Sequence, residues 1–241
     1  MIETPDAGPE PRISLVIAAH NEAATIADVV ERARVAIAEP CEVIVIDDGS
    51  GDGTGDAAAA VGARVIRLSP NRGKGVALRT GIDASRGEWL IFIDADGQDD
   101  PDEIPKLLTE ARHGVAMVNG SRFRGRLLEG AISGPNLVGN LVMTGLLDLA
   151  FLATITDSQA GFRVVHGPTV RALPLRSVEY EIETEMLAHL LRRRLRVVEV
   201  PVNRYRRAAG VTDFRRIRNG LRILRTIVRE RLRPVARNAN A

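Results

Sequence analysis

One cysteine, Cys41, in 241 residues leaves no partner for an intramolecular disulfide, which excludes a disulfide-stapled secreted scaffold and fits a reducing, cytoplasmic compartment. The N-terminus is acidic and proline-bearing and lacks an apolar core, so residues 1–11 read as a flexible lead-in rather than a signal peptide. Uninterrupted apolar runs are missing too. The longest candidate, residues 137–155, contains Asn140, Thr144 and Asp148. A carboxylate in mid-span costs about 2.5–3.5 kcal/mol on insertion scales, so an amphipathic helix is expected there. Neither GxGxxG nor GxxxxGK[ST] occurs, so neither a dinucleotide fingerprint nor a P-loop is supported.

What is present is enough for a core, since 45% of the residues are apolar, and this excludes disorder of the whole chain. The net charge of +2 hides a division. Residues 204–241 carry 12 arginines against Asp213 and Glu230, a local +10, which leaves about −8 for residues 1–203. Along the first half, β-branched apolar runs alternate with helical patterns, the mark of βαβ units around a parallel sheet. Strands are expected over 13–19, 41–47, 63–68, 89–95 and 115–121, with helices over 24–38, up to 61, over 76–85 and over 102–112. Five such strands predict a Rossmann-like nucleotide-binding half. The second half is less regular, with helices expected over 136–155 and 179–193, a strand over 197–202 and a long helix over 214–233. In that last helix Phe214, Ile217, Leu221, Leu224 and Val228 recur at spacings of three and four, with eight arginines on the other faces.

In an open α/β sheet ligands bind beyond the carboxyl ends of the strands, and here those positions are polar. His20 and Glu22 follow strand one, Asp47 and Asp48 strand two, and Asp94, Asp96 and Gln98 strand four. Asp94 and Asp96 flank the small Ala95, so two carboxylates converge where a hard divalent cation fits, and Gln98 can add a carbonyl. The alternative is that acidic residues end the strand while Asp99, Pro101 and Asp102 cap the next helix. Asp47 and Asp48 open the loop GSGDGT, where a carboxylate can accept a hydrogen bond from a nucleobase imide; ordinary turn chemistry is the alternative. Arg72 and Lys74 sit in a loop that opens a helix, a phosphate-facing position or a solvated loop.

In order along the chain, AAHNE, VIVIDDGSGDGT, NRGKGVALRTGI, GEWLIFIDADGQDDPDEI, GSRF, DSQAGFR and EVPV resemble glycosyltransferase family 2, and within it the dolichol-phosphate mannose synthase group. The resemblance spans about residues 13–213 and implies an α/β GT-A fold, a nucleotide-diphosphate sugar donor of the GDP-mannose or UDP-glucose type, and Mg²⁺ or Mn²⁺. It implies that Ala18, His20, Glu22 and Asp47 hold the nucleotide, that Asp94, Asp96 and Gln98 bind metal and diphosphate, and that Arg122 lies near sugar and phosphates. Asp157 in DSQAGFR falls at a family motif that faces sugar or acceptor, and Arg163 can pair with it or with phosphate. Glu183 matches the family's catalytic aspartate position; a solvated acidic helix, with Glu181 and Glu185 on one face, is the alternative. After EVPV the family reads Arg-x-x-Gly-x-Ser-Lys, whereas this chain has Arg207, Gly210, Thr212 and Asp213. The phosphate-binding lysine is replaced by an aspartate, with Arg215 and Arg216 close by to substitute.

Three functions follow as expectations. The first is an inverting, metal-dependent transfer of a hexose to polyprenyl phosphate, by one domain of residues 12–213 (donor half 12–122, acceptor half 123–213). The second is the same donor chemistry on a soluble hydroxyl acceptor, with Glu183 or Asp157 as base. The third is nucleotide-sugar binding without turnover. The basic helix 214–233, ahead of a flexible tail over 234–241, either lies on an anionic membrane face or packs on the domain. Nucleic acid is disfavoured, because only Tyr205 and Phe214 in the tail offer stacking surfaces.

Overall fold

The computed structural model describes residues 12–207 and 216–233. In chain order these form β1 (Ile13–Ala19), α1 (Ile26–Ala36), β2 (Cys41–Asp48), α2 (Thr54–Ala60), β3 (Arg64–Leu68), α3 (Lys74–Ala84) and β4 (Trp89–Phe92). A single 3₁₀ turn (Pro101–Glu103) leads into α4 (Ile104–Ala111), followed by β5 (Met117–Ser121), α5 (Gly134–Phe151), β6 (Arg163–His166), α6 (Gly167–Arg171), α7 (Ile182–Arg192), β7 (Val197–Pro201) and α8 (Arg216–Leu232). The seven strands make one sheet in the order β3-β2-β1-β4-β6-β5-β7. All neighbours are parallel except β6, which runs antiparallel to both β4 and β5.

Strands covered on both faces read as continuous apolar runs, and that is what β1, β2 and β4 are. Leu15, Ile17, Val43, Val45 and Ile91 pack under α1 and α4, while Val16, Ile44, Ile46, Leu90 and Phe92 pack under α3, α7 and α8. The expected alternation is therefore present, with three differences. Strand four ends at Phe92 rather than at 95, where its pairing with Val16 of β1 and Arg163 of β6 also stops, so Asp94 and Asp96 stand in the loop beyond it. β6 is a strand that the sequence pattern does not reveal, because four residues are too short to carry a period. The helix after strand four is capped by Asp100, whose side chain accepts the amide of Asp102, and not by Asp99.

α7 is not a solvated acidic helix. Every residue from Ile182 to Leu190 is buried, Glu183, Glu185 and His189 included. Glu185 accepts the amides of Arg176 and Ser177 at 2.9 and 2.8 Å and pairs with Arg229 of α8 at 2.6 Å. Such partners are what make a buried carboxylate tolerable. They also fix the roll of α8, which buries Asn219, Ile223, Thr226, Ile227 and Glu230, so the packing alternative for the apolar stripe does not hold for most of it. Ile217, Leu221 and Val228 of that stripe stay 82%, 50% and 48% exposed. Phe214, with Gly210, Thr212, Asp213, Arg215, the lead-in and the tail, lies outside the described residues. Among the described residues no helix is long and apolar enough to cross a membrane.

Candidate active site

The carboxyl ends of β1 and β2 lie in register, Ala19 beside Asp47, and β4 ends next to them with Phe92 beside Val16. The segments that leave these strands therefore share one edge, and a cleft of about 980 Å³ opens there. From β1 it collects Ala18, His20 and Glu22; from β2 and the start of α3, Asp48 and Lys74; from the loop after β4, Asp94, Ala95, Asp96 and Gln98. Arg122 follows β5, Glu183 comes from α7, and Arg207 follows β7.

Two expected site residues stand outside its walls. Asp47 accepts the amide of Ser50 at 2.9 Å and lies 4.0 Å from Arg67, behind the loop it opens. Asp157 is fully buried and turned onto Arg122, whose Nε and Nη2 donate to its two oxygens at 2.7 and 2.8 Å. Arg163 does not reach Asp157 by hydrogen bond and instead donates to the carbonyls of Glu183 and Ser158. Asp48 lines the cleft, yet both its oxygens accept backbone amides, from Arg72 and Gly73 at 2.8 Å each. It thereby fixes the turn into α3, where Gly73 has a φ of +94° and a Cβ would collide with the Val178 carbonyl.

Charge in the cleft is dense and paired. Lys74 Nζ sits 2.7 Å from Asp94 and 2.8 Å from Glu183, so it joins two carboxylates rather than pointing into a solvated loop. Burial works against the Lys74 ammonium, but Asp94 and Glu183 hold its pKa above the ordinary lysine value. Burial likewise works to raise Asp94, and Lys74 with Arg204 overcomes it and holds that carboxyl well below the usual range. Arg204 is a charged residue of the cleft that sequence reasoning missed. Its guanidinium lies 3.6 Å from both Asp94 and Asp96 and 2.6 Å from the buried Asp99. The signal was available, since Arg204 follows β7 just as His20 and Glu22 follow β1.

Arg207 pairs with Glu22 and lies 3.2 Å from Asp96. Two guanidiniums thus neutralise carboxylates that converge from one short loop, the donor set that suits a hard divalent cation such as Mg²⁺ or Mn²⁺. The pocket around Asp94 is tight, because a Cβ on Gly161 would stand 2.7 Å from its Oδ1. Asp94 and Asp96 fit such a cation. The Gln98 carbonyl is directed elsewhere: it accepts from Arg204 at 3.1 Å, while its amide donates to the carbonyls of Tyr205 and Ala131.

Burial pushes the Glu22 carboxyl up to about 7 against the opposing pull of Arg207. A carboxyl raised in the folded state stabilises fully below its unfolded pKa of about 4.3 and loses that contribution as pH rises through the folded value. Glu22→Gln is therefore expected to flatten the decline in unfolding free energy between about pH 4.3 and 7. Urea titrations across that window check it, and a variant whose profile parallels the wild type would refute the assignment.

The model of Glycosyl transferase family 2 matches residues 14–164. A low-salt glycan biosynthesis hexosyltransferase of Haloferax volcanii is 31% identical over 222 residues, which is 89% of this chain and 52% of that protein, so the chain spans about half that relative's length. An undecaprenyl-phosphate mannosyltransferase of Micrococcus luteus is 30% identical over 213 residues, 83% of this chain and 86% of that protein. Among solved structures, glucosyl-3-phosphoglycerate synthase from Mycobacterium tuberculosis, in complex with Mn²⁺ and uridine-diphosphate-glucose, superposes with a TM-score of 0.73 at 24% identity, over 94% of this chain and 81% of that one. That likeness carries the fold alone, and it is the GT-A architecture expected from the sequence.

Proposed function

The chain belongs to glycosyl transferase family 2, and from that footing we propose that it moves a hexose from a nucleotide-diphosphate sugar to a polyprenyl phosphate. The observation that carries this reading is the mixed lining of the cleft, in which a charged cluster and apolar side chains of α5 and α8 share one cavity. Asp94, Asp96, Lys74 and the three arginines Arg122, Arg204 and Arg207 line it together with Ile132, Pro135 and Met143 beside or on α5 and Ile217, Leu221 and Leu224 of α8, among which Asn136, Asn140 and Arg218 are interspersed. An acceptor with an anionic head and an apolar chain matches both kinds of lining. In this reading residues 12–122 serve the donor, 123–213 the acceptor, and 214–233 approach the cytoplasmic membrane face that carries it.

Ala18, His20 and Glu22 line the donor end, where the nucleotide would lie. A divalent cation on Asp94 and Asp96 would supply Lewis-acid neutralisation of the departing diphosphate. Arg122, Arg204 and Arg207 add fixed positive charge where the leaving group becomes more negative. Asp157 keeps Arg122 aimed and charged, while Asp47 and Asp48 shape the loop that closes the nucleotide end. A phosphate oxygen of the acceptor attacks the anomeric carbon as its bond to the diphosphate oxygen breaks, which inverts the configuration. An ionised phosphate brings no proton to remove, so no general base is required.

A soluble hydroxyl acceptor is the second reading, favoured by Glu183. Its Oε1 is held by Lys74, while Oε2 is buried without a hydrogen-bond partner and the residue lines the cleft, as a base for a hydroxyl requires. Nucleoside diphosphate release from GDP-, UDP- and dTDP-sugars with Mg²⁺ or Mn²⁺, with and without a short polyprenyl phosphate, tests the proposal. Release that depends on the lipid supports it, and release indifferent to the lipid overturns it. Glu183→Gln is expected to leave transfer to a phosphate within a few-fold, whereas a hydroxyl reaction would slow by about 10²–10⁴.

A further inference from the structure

A second hollow, of about 540 Å³, lies where α5, α7 and α8 end. Phe151, Leu152, Leu191 and Leu195 give it apolar walls, and Arg192, Arg194, Arg231 and Arg233 ring it. Arg192 and Arg233 are held by the buried Glu230, at 3.9 and 3.3 Å. Arg194 and Arg231 have no acidic partner among the described residues, and residues 234–241 contain no Asp or Glu to provide one. Unpaired guanidiniums beside an apolar surface suit an anion attached to an apolar body, and the planar fork of arginine matches phosphate oxygens in pairs.

The backbone adds an independent observation. Leu152 and Arg194 have φ of +53° and +55°, and among the described residues they are two of the three non-glycine residues in the left-handed region. A residue with a Cβ is disfavoured there, and helices usually place glycine at such an end. Leu152, at the end of α5, is also 92% exposed, so the chain holds an apolar side chain in water on a strained cap. Exposed apolar side chains recur along both packed helices, Leu149, Val142 and Val138 at helical spacing on α5 and Val228, Leu221 and Ile217 at the same spacing on α8, the last two of which also line the cleft. Exposed apolar surface of that extent marks a binding face.

We propose that the hollow binds the phosphate headgroup of an anionic phospholipid, and that the α5–α8 face leading from it seats on the bilayer. The inference rests on the reading that the acceptor is carried in a membrane, since Ile217 and Leu221 of that face also line the cleft such an acceptor enters. Charge complementarity selects the occupant: the unpaired cations stand at the edge of the apolar face, as they would at the boundary of acyl chains and headgroups.

The test is co-sedimentation of the full chain with vesicles of phosphatidylcholine alone and of equimolar phosphatidylcholine and phosphatidylglycerol. The wild type should prefer the anionic vesicles, and Arg194→Glu/Arg231→Glu should weaken that binding by about tenfold or more. Arg34→Glu/Arg64→Glu, an equal charge change at exposed positions of α1 and the edge strand β3, should bind as the wild type. Leu152→Gly should weaken vesicle binding while leaving the melting temperature unchanged or higher, a combination that loss of fold cannot produce. Equal wild-type binding to both vesicle types, no binding to either, or equal loss in the Arg34/Arg64 control would overturn the proposal. So would a concentration-dependent dimer of a chain that ignores vesicles, which would assign the face to a second copy. Donor hydrolysis and transfer to a short, water-soluble polyprenyl phosphate should survive Arg194→Glu/Arg231→Glu; failure of that transfer in the wild type while vesicle binding holds would refute the acceptor reading and leave the headgroup site standing.

Discussion

Asp96→Ala is expected to weaken Mn²⁺-dependent donor binding by about 100-fold or more, on the order of 2.7 kcal/mol, and to remove detectable transfer. Asp96 is one of two carboxylates that converge in the cleft, and its Oδ2 faces Arg207 at 3.2 Å and Arg204 at 3.6 Å. With the carboxylate gone, the cation loses a hard oxygen ligand, and those guanidiniums repel it without compensation. The same oxygens explain why the loop should keep its shape: Oδ1 accepts only the local amide of Gln98, and Arg204 retains Asp94 and Asp99. Calorimetric titration of a nucleotide-diphosphate sugar with Mn²⁺ and with EDTA measures the effect. Affinity in Mn²⁺ equal to that of the wild type would remove the metal from Asp96.

The second large effect falls on stability. Asp157→Ala strips Arg122 of both side-chain hydrogen bonds, and the Arg122 side chain is only 12% exposed. Breaking a buried pair from one side typically costs about 3–5 kcal/mol, because the remaining charge is left uncompensated. Arg122→Met in the same chain should recover part of that loss, since a pair removed from both sides leaves no orphaned charge. The pH dependence gives a separate check. Burial works to raise the Asp157 carboxyl, but Arg122 outweighs it and holds it below the usual carboxylate range. The folded pKa is depressed, so the contribution is present above about pH 4 and is lost as pH falls through the folded value. Urea unfolding at neutral pH should show the deficit, and the gap between variant and wild type should narrow in acid. A deficit that is the same at all pH values would mean that the pair acts by packing alone.

Much of this arrangement was legible in the sequence because its signals are local. β1 and β2 are apolar runs that end in polar residues, and the rule that ligands lie beyond strand ends picks out His20, Glu22, Asp94 and Asp96 without coordinates. What was illegible depends on tertiary placement. The roll of α8 is set by Glu230 and Arg229 engaging α7, so of the stripe that spacing marks out, to lie on a membrane or to pack on the domain, Ile217, Leu221 and Val228 stay exposed. Nothing local distinguishes Asp157, turned onto Arg122, from Asp94, turned into the cleft. Arg204 is an intermediate case: its position after β7 was readable, but its three acidic neighbours come from a segment about a hundred residues earlier.

The insertion of β6 between β4 and β5 bears on how far the molecule can be taken apart. A strand from residues 123–213 is woven between strands of residues 12–122, pairing Phe92 with Arg163 on one side and Asn119 with Arg163 on the other. Residues 12–122 alone would leave β4 and β5 with open edges and no neighbour between them, a template for aggregation rather than a folded fragment. The chain should melt as one cooperative unit, and exchange of acceptor specificity by grafting halves from relatives should fail unless the junctions fall after β6. Recombination of loops such as 123–133, which hang from the sheet without contributing a strand, is the modular route that this topology leaves open.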